Sequence, residues 1–186
     1  MHSVRRFGHS RMSVSDVARL AGVSRNTIYK YFGNRSNLIN AAVEVRIEKF
    51  LAAANAELER EGSLPAKLAA LMTWIHRRIR AIEAEDPFRQ RDTVDDAVLG
   101  DPIPVTPARS PERSLQRFAE ILEPVLQDAI DSGEIRQIEV AAAADYIARL
   151  MMSAGIPSQA TPLHDQAAMT RFFEEQLVRG WAPSRT

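Results

Sequence analysis

Residues 12–39 read MSVSDVARLAGVSRNTIYKYFGNRSNLI and contain the most specific structural signals of the chain. Ser13 is followed three residues later by an acid, a pattern typical of a helix N-cap, and Gly22 ends the helix that begins there. The pattern therefore predicts a helix over 14–21. A second short helix over 25–32 follows, because it lies between a capping serine and a Gly-Asn break.

Two short helices form a helix-turn-helix when three conditions are met together. A small residue must lie where the helices touch, a glycine must form the turn, and an apolar residue of the second helix must face the first. Ala18, Gly22 and Ile28 have this order and spacing. The residues expected to complete the small core are Val17, Leu20 and Val23.

The second helix carries many groups that suit contact with DNA. Six of them fall within seven residues: Arg25, Asn26, Thr27, Tyr29, Lys30 and Tyr31. Hydroxyl groups bind phosphate oxygens, whereas Arg, Asn and Lys side chains reach base edges. On the other interpretation, the tyrosines only pack and the charges only solvate a surface.

The same stretch resembles the TetR/AcrR family of bacterial transcriptional regulators. The resemblance rests on SDVA at 15–18, AGVS at 21–24, TIYKYF at 27–32 and Leu38. It implies an all-α protein with a helix-turn-helix DNA-binding domain over 1–45 and a ligand-binding and dimerisation domain over 46–186. It also implies a homodimer that binds a palindromic operator, usually as a repressor, and a small effector that changes the spacing of the two heads.

Residue types and this resemblance together predict eight DNA-contacting residues. They are Ser15, Arg25, Asn26, Thr27, Tyr29, Lys30, Tyr31 and Arg35. By position in the family, Thr27, Tyr29 and Tyr31 match phosphate contacts. Arg35 stands where the family usually has lysine, and its guanidinium also suits phosphate. Asn26 and Lys30 fall at variable positions that usually determine operator choice.

Apolar residues at three- and four-residue spacing predict helices in the rest of the chain, and no stretch predicts a strand. The expected helices are 36–61, 65–84, a weaker one over 86–99, 111–132, 139–154 and 164–179. Residues 100–111 hold four prolines and are expected to form a loop. Pro124 is expected to kink its helix, because proline removes a backbone donor.

The resemblance places the dimer interface on the last two long helices. Its predicted residues are Ile147, Leu150, Met169, Phe172, Phe173 and Leu177. Such helices from two subunits would form a four-helix bundle. The alternative is that these apolar stripes are buried within one chain.

An effector pocket is expected among the helices of the second domain. Its predicted lining is Trp74, Ile75, His76, Ile79, Phe88, Phe118, Leu122, Tyr146 and Met151. Trp74, His76 and Tyr146 would supply polar groups in an apolar cavity. This composition favours an apolar or amphipathic effector, and the alternative is that each residue belongs to the ordinary core.

The net charge of zero conceals a basic N-terminal part and an acidic remainder. Residues 1–50 contain nine Lys or Arg and three acids, so residues 51–186 contain fifteen basic and twenty-one acidic residues. This asymmetry predicts that only the N-terminal part meets a polyanion, although compositional drift would produce the same numbers.

Composition also excludes several classes of site. The 186-residue chain contains no cysteine, which rules out disulfides and thiolate chemistry, and its four histidines are scattered. No apolar run is long enough for a membrane span or a secretory signal, so a cytoplasmic protein is expected. No catalytic residue, cofactor or metal site is predicted, and the protein is expected not to be an enzyme.

The residues before the motif depart from the family pattern. Residues 3–8 look like only the last turns of the helix that normally precedes the helix-turn-helix. Either the start is placed too late or the first helix is short, and a short helix held by Val4 and Phe7 would loosen the head. Two further functions stay open: a DNA-binding protein without an effector, and a helical dimer that acts by protein contact without binding effector or DNA.

Overall fold

The computed structural model describes residues 13–60, 62–85, 111–155 and 161–182. Within these ranges the chain forms eight α-helices and no strand. The helices are α1 (Val14–Ala21), α2 (Arg25–Phe32), α3 (Arg35–Leu58), α4 (Leu64–Glu85), α5 (Pro111–Glu120), α6 (Glu123–Asp131), α7 (Val140–Met152) and α8 (Gln166–Gln176). Short 3-10 segments, Ser153–Gly155 and Val178–Trp181, follow α7 and α8. The all-α prediction is confirmed.

Local signals determine where the first helices begin and end. The predicted bounds of α1 and α2 agree with the structure residue for residue. Helix α3 begins where the side-chain oxygen of Asn34 accepts a hydrogen bond from the Asn37 amide at 2.9 Å. It ends at Leu58, three residues earlier than predicted.

Helix α3 runs continuously from a small N-terminal core into a large one. Its first part carries Leu38, which packs with α1 and α2, and its middle carries Val43 and Ile47, which pack with Val17 of α1. From Phe50 onwards its buried residues belong to the large core. We call α1, α2 and the first turns of α3 the head, and we call α4 to α8 the body. The predicted boundary at residue 45 falls inside this helix and stays a prediction.

The predicted helix over 111–132 is two helices rather than one kinked helix. Helix α5 stops at Glu120, and α6 restarts at Glu123 with Pro124 in its first turn. Proline lacks the amide that would bond to the carbonyl four residues earlier, and its ring clashes with that carbonyl. The Glu120 carbonyl is the group concerned, so the helix stops there and the prediction of a kink alone was wrong.

The last two helices begin later than predicted because acidic side chains cap their N-termini, and they also end earlier, at Met152 and Gln176. Glu139 Oε2 accepts from the Ala142 amide at 2.6 Å, so α7 begins one residue later. Asp165 Oδ1 accepts from the Ala167 and Ala168 amides, so α8 begins at Gln166.

The body is built around one continuous apolar core. Large side chains that are fully buried in it include Leu58, Leu64, Leu68, Leu71, Met72, Ile75, Ile79, Leu122, Leu126, Ile135, Ile147 and Phe173. A long-range hydrogen bond joins this core to a loop, since the Leu64 amide at the start of α4 donates to Glu134 Oε1 at 2.8 Å. Among the described residues, Thr73 is a buried polar side chain whose hydroxyl has no hydrogen-bond partner.

Several predictions fall outside the described residues. They concern the helical turns over 3–8 with Val4 and Phe7, the weak helix over 86–99 with Phe88, and the proline-rich loop up to residue 110.

Candidate nucleic-acid interface

Helix α1 begins with a complete capping box. The Asp16 amide donates to Ser13 Oγ at 3.1 Å, and Asp16 Oδ2 accepts from the Ser13 hydroxyl at 2.6 Å and from the Ser13 amide at 3.4 Å. Arg19 Nη2 lies 3.1 Å from Asp16 Oδ1. The hydrogen bond from the Ser13 side chain, assisted by Arg19, lowers the pKa of the Asp16 carboxyl below its ordinary value.

The turn between α1 and α2 depends on Gly22. Its φ of +66° is left-handed, a conformation that glycine adopts without strain. Its amide donates to the carbonyl oxygens of Ala18 and Arg19, and the Val23 amide donates to Ala18 O at 3.0 Å. A Cβ at this position would meet nothing within 4 Å, so the requirement for glycine is conformational and not steric.

Helix α2 is fixed at its start and along its inner side. The Thr27 amide donates to Ser24 Oγ at 3.0 Å, and the Ser24 and Thr27 hydroxyl oxygens are 2.8 Å apart. Ile28 is buried in a cluster with Val14, Ala18 and Leu38, and Val17 and Phe32 pack against it. This confirms Ala18 and Ile28 as the contact between the two helices, and it leaves the opposite side of α2 exposed.

The predicted DNA contacts lie mostly on this exposed surface. Exposed residues are Ser15 on α1, Arg25, Asn26, Tyr29, Lys30 and Tyr31 on α2, and Arg35 at the start of α3, whereas Thr27 is half-buried. Among the described residues, Tyr31 is the most exposed large apolar side chain, at 77%. Asn26 and Lys30 are one helical turn apart, so they share a face of α2.

Two residues predicted for the head core are at the surface instead. Leu20 is 53% exposed and Val23 is 40% exposed, so this prediction was wrong. The inward stripe of α1 consists of Val14, Val17 and Ala18. Leu20 lies beside that stripe on the helical wheel, and Val23 lies in the turn after the helix has ended.

Three of the predicted dimer residues have no surface left for a partner. Ile147, Met169 and Phe173 are each 0% exposed in the single chain, because the apolar stripes of α7 and α8 pack into its own core. They cannot form a dimer interface, and the prediction was wrong for them. Leu150, Phe172 and Leu177 are half-buried, which leaves part of each available.

The predicted pocket residues separate into three groups. Ile75, Ile79, Phe118, Leu122 and Met151 are buried in the body core, and Trp74 and His76 are half-buried beside it. The Nδ1 atom of His76 lies 3.1 Å from the Ala154 carbonyl oxygen, which joins α4 to the end of α7. Tyr146 is 57% exposed, so its prediction as an internal polar group was wrong.

Tyr146 lies on a polar outer side of α7. Arg149 forms two hydrogen bonds with Asp145 on the same helix, at 2.7 and 3.1 Å. These bonds raise the pKa of the Arg149 guanidinium. A helix needs only one buried stripe, and the inner side of α7 already supplies it.

The described residues show neither a metal site nor a membrane span. Within residues 13–60, 62–85, 111–155 and 161–182, no three His, Asp or Glu side chains are grouped so that they could hold a metal ion. No helix in these ranges is long and apolar enough to cross a membrane.

Comparisons with known proteins agree with this geometry. Residues 4–42 match the family model for bacterial regulatory proteins of the tetR family. The chain is 35% identical over 77 residues to the DNA-binding transcriptional repressor TetR of Mycobacteroides abscessus. That match covers 41% of this chain and 38% of the repressor, so it spans well under half of either protein.

Solved structures resemble the chain over nearly its full length. A TetR-family transcriptional regulator from Pectobacterium atrosepticum has a TM-score of 0.62 at 19% identity, covering 100% of this chain and 91% of its own. The TetR-family repressor AlkX from Dietzia sp. has a TM-score of 0.57 at 23% identity, covering 98% and 94%. The regulator FadR from Bacillus subtilis has a TM-score of 0.53 at 21% identity, covering 95% and 92%.

The family match includes the capping box, the Gly22 turn and the whole of α2, and the structural matches extend the same fold through the body. Members of this family are DNA-binding regulators and not enzymes. Residues 4–42 of the chain are thus similar to the DNA-binding part of TetR-family bacterial regulators, and the described helices share the fold of solved TetR-family proteins.

Proposed function

We propose that this protein is a homodimeric transcriptional repressor that binds a palindromic operator and is released by a small apolar or amphipathic effector. The observation that carries the proposal is the exposed polar face of α2, which the Ser24 cap and the buried Ile28 hold in place. An α-helix fits the major groove of B-DNA, and a rigidly held helix loses little freedom when it binds there.

The exposed side chains of the head are proposed to have different roles in recognition. Asn26 and Lys30 share one face and are proposed to read base edges. Tyr29, Tyr31 and Arg35 are proposed to bind phosphates on either side, with Thr27 and Ser15 adding hydroxyl contacts. The Thr27 hydroxyl is hydrogen-bonded to the Ser24 hydroxyl in the protein without DNA, and this bond orients the Thr27 side chain.

Dimerisation is proposed through the outer parts of α7 and α8. The available side chains are the exposed Tyr146 and the half-buried Leu150, Phe172 and Leu177. Tyrosine suits such a surface, because it offers a large apolar ring together with a polar hydroxyl.

The effector is proposed to enter the body core near α4, α5 and α7. Ile75, Ile79, Phe118, Leu122 and Met151 offer apolar contacts, and half-buried Trp74 and His76 offer polar groups. Two proteins with this fold support an apolar ligand: FadR was solved in complex with stearoyl-CoA, and AlkX is implicated in biodegradation of n-alkanes. A long-chain fatty acid, its CoA thioester and a matched n-alkane are the first probes for release of bound DNA.

The deciding experiment selects duplexes from a random pool with the purified protein and repeats binding of the winners at several salt concentrations. We expect a palindromic consensus whose half-sites are one or more helical turns apart, with binding that weakens steeply as salt rises. Failure to enrich any duplex, or binding that is insensitive to salt, contradicts the proposal. That outcome favours the helical dimer that acts by protein contact.

A further inference from the structure

A charged contact joins the body to the helix that carries the head. Arg117 Nη1 on α5 donates to Glu44 Oε2 on α3 at 2.9 Å, although the two residues are 73 positions apart. The Arg117 and Glu44 side chains are 31% and 45% exposed. Water therefore partly screens the attraction between the two charges, so the ion pair contributes a modest but not negligible free energy.

The neighbouring residue on α5 makes a second contact with the same helix. The rings of Phe118 and Phe50 are 5.8 Å apart, and both side chains are buried. Phe50 also lies 5.4 Å from the ring of Trp74 on α4. Glu44 and Phe50 are six residues apart, or about 9 Å along the helix axis, so α5 holds α3 at two separated points.

The position of Glu44 gives the ion pair its importance. The nearby residues Val43 and Ile47, together with Ile39, form the cluster against which Val17 of α1 packs. Phe50 belongs to the body core. The ring contact therefore holds α3 inside the body, whereas the ion pair holds it where it meets the head.

Helix α5 connects the body core with the Arg117–Glu44 pair. Helix α5 ends at Glu120 and α6 begins at Glu123, and Leu122 between them keeps a right-handed helical backbone conformation. Phe118 and Ala119 of α5 are buried in the same core as Ile147 and Met151 of α7. A change in the packing of that core therefore acts directly on α5.

We propose that Arg117 and Glu44 are positioning residues that fix the angle of α3 to the body and so orient the DNA-reading head. This inference rests on the proposed function, since it names how the body controls the head. When the two heads of a dimer are held at one spacing, no free energy is lost on binding a palindrome in restricting the heads to that spacing.

The first test compares four proteins: wild type, Glu44→Arg, Arg117→Glu and the double exchange Glu44→Arg/Arg117→Glu. The probes are the palindromic duplex enriched from the random pool and a duplex in which one half-site is scrambled. We expect each single exchange to weaken palindrome binding by about two- to fivefold, the range of a part-exposed ion pair, with little change for the scrambled duplex. The double exchange restores binding, because the charges again attract.

The matched control is Arg113→Glu, which makes the same charge change at an exposed position of the same helix. It should leave the ratio of the two affinities unchanged. If both duplexes lose affinity equally and the melting temperature falls in the single variants, the pair is merely structural and the proposal is overturned. Equal palindrome binding by all four proteins overturns it as well.

A second measurement does not depend on DNA binding. Because the chain has no cysteine, Ala21→Cys on α1 and Asp128→Cys on α6 place two spin labels without other changes. Dilution with unlabelled protein removes distances between subunits. We expect the distance distribution to broaden in each single exchange and to narrow again in the double one; identical distributions overturn the proposal. If wild type enriches no duplex, the proposed function fails while the label distances still decide this inference.

Discussion

The helices of the head are defined mainly by local interactions, whereas the helices of the body are held mainly by long-range packing. Among the described residues, the buried core of the head consists of Val14, Ala18, Ile28 and Leu38, and N-caps and a left-handed glycine define its helices. The large core contains 26 buried residues among those described, drawn from the later part of α3 and from distant parts of the body. The difference shows that the head gives up burial in order to present polar side chains, while the body supplies the long-range packing.

The largest effect should come from a substitution deep in the body. Phe173 is fully buried, so Phe173→Ala should lower the free energy of unfolding by about 3–5 kcal/mol through lost packing and a cavity. Chemical denaturation measures this change. Phe172→Ala, at the half-buried neighbour, is the matched control and should cost clearly less. Equal losses at both positions would mean that the body core is not centred where the structure puts it.

Substitutions on the surface of α2 should change DNA binding and not stability. Lys30→Ala should alter operator preference by about 1–3 kcal/mol between competing sequences. Arg35→Ala and Tyr31→Ala should instead weaken all duplexes, and the arginine change should also flatten the salt dependence by about one unit of slope. Binding titrations across several duplexes and salt concentrations separate these outcomes. A uniform loss for Lys30→Ala would refute its role in reading bases.

A substitution in the turn should destabilise the head alone. Gly22→Ala places a Cβ at φ +66° and should cost about 1–2 kcal/mol, although no neighbouring atom obstructs it. Gly22→Asn should cost less, because asparagine tolerates the left-handed region. Amide exchange in α1 and α2 reports the loss, whereas α4 and α8 should keep their protection. A loss spread evenly over both regions would show that head and body unfold together.

The smallest effect concerns acid pH. The pKa of Asp16 is lower in the folded head than its ordinary value, so its stabilising contribution is complete at neutral pH. That contribution is lost as pH falls below about 4 and Asp16 becomes protonated, which weakens the capping box. Helicity and amide protection of α1 should decrease over this range in wild type. Asp16→Asn should remove most of the pH dependence, and an unchanged acid transition in that variant would contradict the assignment.

The sequence predicts the head well because its signals are local. Ser13, Gly22 and Ser24 act on residues no more than four positions away, and the predicted bounds of α1 and α2 were confirmed. The same local reasoning failed at Leu20 and Val23. Hydrophobicity alone does not say whether another element covers a side chain at the edge of a helix.

The body was harder to predict because its determinants lie far apart in the chain. The apolar stripes of α7 and α8 fit a dimer interface or an internal core equally well, and only the packing shows that Ile147, Met169 and Phe173 face inward. The Arg117–Glu44 pair had no sequence signal, since nothing local connects positions 73 residues apart. The break before Pro124 was foreseen only as a bend.

The unpartnered hydroxyl of Thr73 has a consequence for how this protein can vary. Exchanging it for a methyl group keeps the shape of the side chain and removes a buried polar atom, so this position can raise stability through a single codon change. Thr73 lies on α4, whereas the proposed DNA-contacting residues lie on α1, α2 and the start of α3. An exchange at Thr73 can therefore change the stability of the body while the residues proposed to contact DNA stay the same.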